Sequence, residues 1–150
     1  MNEKAFGKNI LNRLKAAGFD TMRIETASTI SGCPDVWTQG AHDDFWIELK
    51  SLPTASVHSK TITVPWRPGQ QGWAARYRIN HSRVVRDTIS IKCSWTFVGV
   101  KDGFIAIRML KAFENNLVPL DDENVFICND DTSIKELLIK NTYKIIEDAV

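Results

Sequence analysis

Three residues in the first third of the chain have the types and spacing for phosphate chemistry: Asp35, Glu48 and Lys50. Glu48 and Lys50 stand two apart in Phe45-Trp46-Ile47-Glu48-Leu49-Lys50. The alternation predicts a strand, with Phe45, Ile47 and Leu49 on one face and Trp46, Glu48 and Lys50 on the other. Pro34 opens a short preceding strand, Asp35-Val36-Trp37, because proline is tolerated at a strand's first residue. A turn over Gln39–Asp44 would lay the two strands side by side and bring Asp35 to the same sheet edge. Two carboxylates so close repel unless a cation sits between them. Hard oxygen ligands suit Mg²⁺, with Mn²⁺ as a substitute. A nearby lysine can activate a water or offset the charge that builds on a pentavalent phosphate. Carboxylates, a divalent metal and a lysine are the equipment for phosphodiester hydrolysis.

The elements that must position these groups read as follows. Phe6, Ile10, Leu11, Leu14 and Ala17 recur at helical spacing, Gly18 follows as a C-terminal cap, and Glu3 sits in the first turn. Phe19 to Glu25 reads as a strand, and Thr26 to Cys33 as a small, polar loop. Phe45 to Lys50 ends at Pro53, and a short strand is expected near Ile62 and Val64. Pro68 suits the start of a second helix carrying Trp73, Tyr77 and Val84. The end of that helix is ambiguous, because Val84-Val85 and Ile89-Ser90-Ile91 are also strand-like. Trp95 to Val100 and Phe104 to Ile107 flank Lys101-Asp102-Gly103, a strong hairpin signal. Ser133 to Asp148 reads as a last helix. The order is helix, three strands, helix, two strands, helix: an α/β (α+β) domain with a mixed central sheet.

The chain has 150 residues, which suits one domain over 1–150. At 43% hydrophobic and 25% charged it is neither disordered nor collagen-like. Cys33, Cys93 and Cys128 are too few and too far apart for a disulfide framework and read as reduced thiols. No apolar run approaches a membrane span and the N-terminus lacks a signal pattern. The expectation is a cytoplasmic protein with no membrane partner. The formal charge of +1 hides an asymmetry. Residues 60–101 carry eight basic residues and one acidic, a net of +7, while 102–150 carry a net of −5. A basic middle suits a polyanion met through one surface.

Pro34-Asp35 followed by Glu48-Leu49-Lys50 at the end of an apolar strand resembles the signature of the PD-(D/E)xK nuclease superfamily. Arg67-Pro68-Gly69-Gln70-Gln71-Gly72-Trp73 resembles the helix entry of its Holliday-junction-resolvase-like and virus-type replication-repair (VRR-NUC) branches. The resemblance spans a core of about 3–107 and leaves 108–150 as an acidic extension. It implies the restriction-endonuclease-like αβββαβ core. It implies that Asp35, Glu48 and the Leu49 carbonyl hold Mg²⁺, with Glu3 as a further ligand and Glu25 as its rival. Lys50 would orient or activate the water. Gln70, with Gln71 as the alternative one residue on, would position Lys50 or the scissile phosphate. The implied activity is a metal-dependent DNA nuclease, on branched or flapped DNA in replication, recombination or repair. A junction resolvase would need two active sites and hence a homodimer. The alternative is a catalytically inactive DNA-binding or protein-interaction member of the same fold. The small size and compact motif set point to a phage or mobile-element origin.

For nucleic-acid contact, Arg76 and Arg83 stand seven apart and would share a helical face, with Arg86 close by. Arg67 and Lys60 complete the candidate surface. Trp66 beside Arg67 is a candidate for base stacking, while the other tryptophans read mostly as core. His42, His58 and His81 lack metal-ligand spacing and read as surface or turn residues.

Overall fold

The computed structural model describes residues 2–24 and 32–146. Helix α1 (Glu3–Ala16) is capped by Asn2, whose side chain accepts from the Ala5 N–H at 2.8 Å, and the chain leaves it through Gly18 at φ 93°. Its buried stripe is Phe6, Ile10 and Leu14. Strands β1 (Asp20–Arg23), β2 (Val36–Gln39) and β3 (Asp44–Ser51) follow as an antiparallel meander. Glu25 and most of the expected Thr26–Cys33 loop lie outside the described residues.

After β3 come β4 (Thr61–Thr63), α2 (Gln70–Asn80), β5 (Ser82–Val85), β6 (Thr88–Lys92), β7 (Trp95–Val100) and β8 (Gly103–Arg108). The chain then forms β9 (Leu117–Pro119), β10 (Val125–Cys128), α3 (Ile134–Asn141) and β11 (Tyr143–Ile146). The central sheet has six strands in the order β1-β2-β3-β7-β8-β10. β3 and β7 run parallel, with Glu48 opposite Thr96, and the other neighbours are antiparallel. A parallel pair needs a crossover, and α2 lies in it. The result is a mixed α/β fold, a mixed sheet flanked by helices on both faces.

The alternation in β3 divides the core in two. Phe45, Ile47 and Leu49 join Phe6, Ile10, Leu14, Ile134 and Leu138 on the α1 and α3 side. On the other side, Val98, Ile105 and Ile107 pack with Ile62, Val64, Trp66 and Ala74 of the crossover segment. Glu48 and Lys50 project toward this second side. The expected Asp-Gly hairpin is present, with Val100 opposite Gly103 across Lys101-Asp102.

Two elements differ from expectation. The second helix ends at Asn80, and Ser82–Val85 forms a hairpin with β6. Arg83 therefore lies on a strand, and Arg86 occupies the hairpin turn with φ 57°; neither shares a helical face with Arg76. Val84, Val85, Ile89 and Ile91 are β-branched, so a strand suits them better than a helix. The last helix stops at Asn141, and Tyr143–Ile146 pairs with β6 to make a three-stranded sheet, β11-β6-β5. The aromatic Tyr143 and the β-branched Ile145 and Ile146 favour that ladder likewise. Lys92 locks this sheet to the β2–β3 turn, its Nζ 2.8 Å from Asp43 and 2.6 Å from Asp44.

Phe6 seats α1 on the sheet directly over Gly99, where a Cβ would lie 2.6 Å from the Phe6 ring. Gly99→Ala is expected to destabilise the protein by about 1–3 kcal/mol through overpacking. Urea unfolding measures it, and an unchanged midpoint would show that this contact does not constrain α1.

Candidate active site

β3 carries Glu48 and Lys50 to the side of the sheet that α2 covers, and both are buried there, at 4% and 6% exposure. Lys50 Nζ lies 3.3 Å from Glu48 Oε2. Gln70, the first residue of α2, donates its Nε2–H to the same oxygen at 2.9 Å. Its Oε1 accepts the Arg67 main-chain N–H at 2.8 Å, so the helix entry itself orients the amide. Gln71 turns elsewhere, accepting from the Phe113 N–H and donating to the Phe113 carbonyl and Asn116. Of the two adjacent glutamines, Gln70 alone bonds Glu48.

Asp35 stands immediately before β2, and its Oδ2 accepts the Leu49 N–H at 3.0 Å. That bond ties Asp35 to β3 between Glu48 and Lys50. Gly32, two residues before Pro34, packs on the α2 entry. Gly32 sits at φ 83°, and any Cβ there would strike the Gly69 carbonyl oxygen. Trp73 packs α2 on β3, its ring centroid 5.6 Å from that of Trp46, and Tyr77 of the same helix stacks on it at 5.2 Å.

Burial first, and the charge of Asp35 second, push the Glu48 carboxyl up to about 7, against the pull of Lys50. Asp35 is within hydrogen-bonding reach, in the sense that favours protonated Glu48. Burial, then the same two carboxylates, also raise the Cys33 thiol. Glu48 Oε2 has two partners, but buried Oε1 has none. A carboxylate pair with an orphaned buried oxygen requires a positive partner, either a proton or a cation.

These donors fit a hard divalent cation. Among the described residues no three His, Cys, Asp or Glu side chains are grouped to hold a metal. Mg²⁺ commonly takes only one or two carboxylates and fills its shell with water and substrate phosphate, so Asp35 and Glu48 suffice. Glu3 is not brought into such a group. It is exposed in the first turn of α1, a helix that packs on the Leu49 face of the sheet, away from Glu48. Its rival Glu25 is outside the described residues.

Of the candidate nucleic-acid contacts, Arg67 and Arg76 are exposed near the α2 entry, and Lys60 is exposed before β4. Arg83 and Arg86 are exposed on the separate β5–β6 hairpin. Trp66 is not available for base stacking. It is 7% exposed, stacks on Phe113 and donates to the Thr96 hydroxyl at 3.0 Å. Sequence reasoning missed the Arg67 N–H that holds Gln70, because a main-chain donor leaves no residue-type signal.

No protein-family model matches the sequence, and no curated protein matches it. Among solved structures, the chain is similar to Archaeoglobus fulgidus Hjc, a Holliday junction resolvase from an archaeal hyperthermophile. Identity is 13% and the TM-score 0.49, over 85% of this chain and 88% of that one. What the present chain does rests on its own side chains. No helix among the described residues is long and apolar enough to cross a membrane.

The raised Glu48 carboxyl sets a pH dependence. It holds its proton more tightly folded than unfolded, so its contribution to stability falls as pH rises from 4.5 to about 7. Mg²⁺ would supply the missing positive charge only above that range. Scanning calorimetry should show Mg²⁺ raising Tm more near pH 8 than near pH 5. Asp35→Asn should abolish the difference, and an equal effect at both pH values would remove Asp35 and Glu48 from metal binding.

Proposed function

We propose that the chain is a divalent-metal-dependent deoxyribonuclease. The observation that carries this reading is the buried Glu48, held by Lys50 and Gln70 and crowded by Asp35, with one oxygen left without a partner. Asp35, Glu48 and the Leu49 carbonyl would hold Mg²⁺, with Mn²⁺ as a substitute. The metal would supply charge neutralisation at the phosphodiester and a more acidic water.

The chain's own residues account for the rest. Lys50 is the cation beside the reacting phosphate, where it orients the attacking water and offsets the charge that accumulates on the phosphoryl oxygens. Gln70 keeps the Glu48 carboxylate in one orientation, so that Oε1 stays free for the metal. Asp35, anchored on the Leu49 N–H, keeps its other oxygen for the same role. Trp66, Trp73 and Pro34 line the small space at Glu48, and burial of the carboxylate at 4% exposure strengthens each of these interactions.

The proposed substrate is DNA, with branched or flapped forms first. Cleaving both strands of a four-way junction would require a homodimer, which size-exclusion chromatography tests. Incubation with linear, nicked, flapped and four-way DNA should give cleavage with Mg²⁺ or Mn²⁺ and none with EDTA. Lys50→Ala should lower the rate about a hundredfold or more while DNA binding persists, because a group acting in the transition state adds little ground-state affinity. EDTA-resistant cleavage, or a Lys50→Ala rate above about a tenth of wild type, would overturn the reading.

A further inference from the structure

A second feature adjoins this site but takes no part in the chemistry. Beside the entry of α2 lies an open cleft of about 300 Å³, lined by Arg67, Gly69, Gly72, Gln71 and Asn116 among others. Its floor at Gly72 is bare main chain. The nearest atom to a Cβ built there would be Arg76 Nη1, 3.4 Å away, so the Arg76 guanidinium lies along the cleft's edge. Arg67 stands in the lining itself. Among the described residues neither arginine has a carboxylate within ion-pair distance, and the first turn of α2 carries no acidic residue.

The far wall is built rigidly. Gln71 holds it by three hydrogen bonds, two to the Phe113 main chain and one to Asn116 Oδ1. Asn116 Nδ2 donates to the Trp66 carbonyl at 3.3 Å, and the Asn116 carbonyl accepts the Val64 N–H at 2.9 Å. Asn115 and Asn116 both take left-handed backbone, at φ 57° and 58°. Asparagine is the non-glycine residue that takes this conformation most readily, and the pair shapes the turn that bounds the cleft. The near wall is linked to the catalytic carboxylate, because the Arg67 N–H holds Gln70 and Gln70 holds Glu48.

We propose that this cleft takes the sugar-phosphate backbone of the substrate strand, with Arg67 and Arg76 on its phosphates, next to the phosphodiester held at Glu48 and Lys50. The proposal rests on the nuclease reading for the identity of the strand. Two unpaired guanidinium groups suit phosphate oxygens. The floor is glycine main chain, and the Gln71 and Asn116 amides in the wall are engaged with each other and with main chain, so the contact is independent of sequence.

The test is binding of a fluorescent DNA duplex in EDTA over a series of salt concentrations. Replacing Arg67 and Arg76 together by alanine should flatten the slope of log K against log salt by about two units and weaken binding to every sequence alike. Gly72→Asp, which sets a carboxylate against Arg76, should weaken binding by about tenfold. Circular dichroism melting checks the fold, and the double arginine variant decides the matter should Gly72→Asp fail to fold. An unchanged slope in the double variant would overturn the proposal. So would wild-type binding to polyglutamate as tight and as salt-dependent as to DNA, which would indicate an acidic protein partner. A wild-type chain whose slope the double variant flattens, but which leaves DNA uncut in Mg²⁺, would retain the cleft and remove the nuclease reading. Mg²⁺-dependent cleavage with an unchanged slope would do the reverse.

Discussion

Burial of the Glu48 carboxylate beside Asp35 is the constraint around which the rest of the molecule is arranged. An isolated charge in that position would cost several kcal/mol, and a second carboxylate makes it worse. The chain offsets this with one cation, Lys50, and one neutral donor, Gln70, both on the same oxygen. It leaves the other oxygen without a partner. A site built for stability alone would satisfy both oxygens. The incomplete shell leaves a place at the carboxylate pair for a proton or a cation.

Holding that arrangement requires α2 to enter at one height above β3. The parallel pairing of β3 with β7 forces a crossover, and α2 is placed in that crossover. Its height is set from three directions. Gly32 meets Gly69 directly, Trp73 packs on Trp46, and Gln71 grips the Phe113–Asn116 turn. Adjacent glutamines thus serve opposite ends of the helix entry. Gln70 faces the carboxylate and Gln71 faces the wall of the neighbouring cleft.

The basic middle of the chain divides by burial. Lys92 is spent internally on Asp43 and Asp44 and lies over Tyr77 and Tyr143. It supports the three-stranded sheet and is not a contact for a polyanion. Arg67 and Arg76 lie near the α2 entry, whereas Arg83 and Arg86 stand on a different hairpin. One charge run in the sequence therefore supplies an internal clamp and two separate surfaces.

The sequence by itself determined the elements whose signals are local. The i, i+3, i+4 stripe of α1, the alternation of β3 and the Asp-Gly hairpin all appear as expected, because periodicity and turn chemistry act within a few residues. It also placed Glu48 and Lys50 on one face, since a strand has no alternative. Tertiary structure decided the rest. Arg86-Asp87 carries no hairpin signature, so the end of α2 depended on β6 being available to pair with Ser82–Val85. Tyr143–Ile146 became a strand for the same reason, since a ladder with β6 outweighed weak helical spacing. Which glutamine meets Glu48, whether Trp66 is open or buried, and which arginines lie near the site depend on how α2 docks. Glu3 fits a helical first turn in sequence, yet its helix lies on the opposite face of the sheet from Glu48. A side chain's partners across an interface are set by packing between distant segments, and no local pattern encodes them.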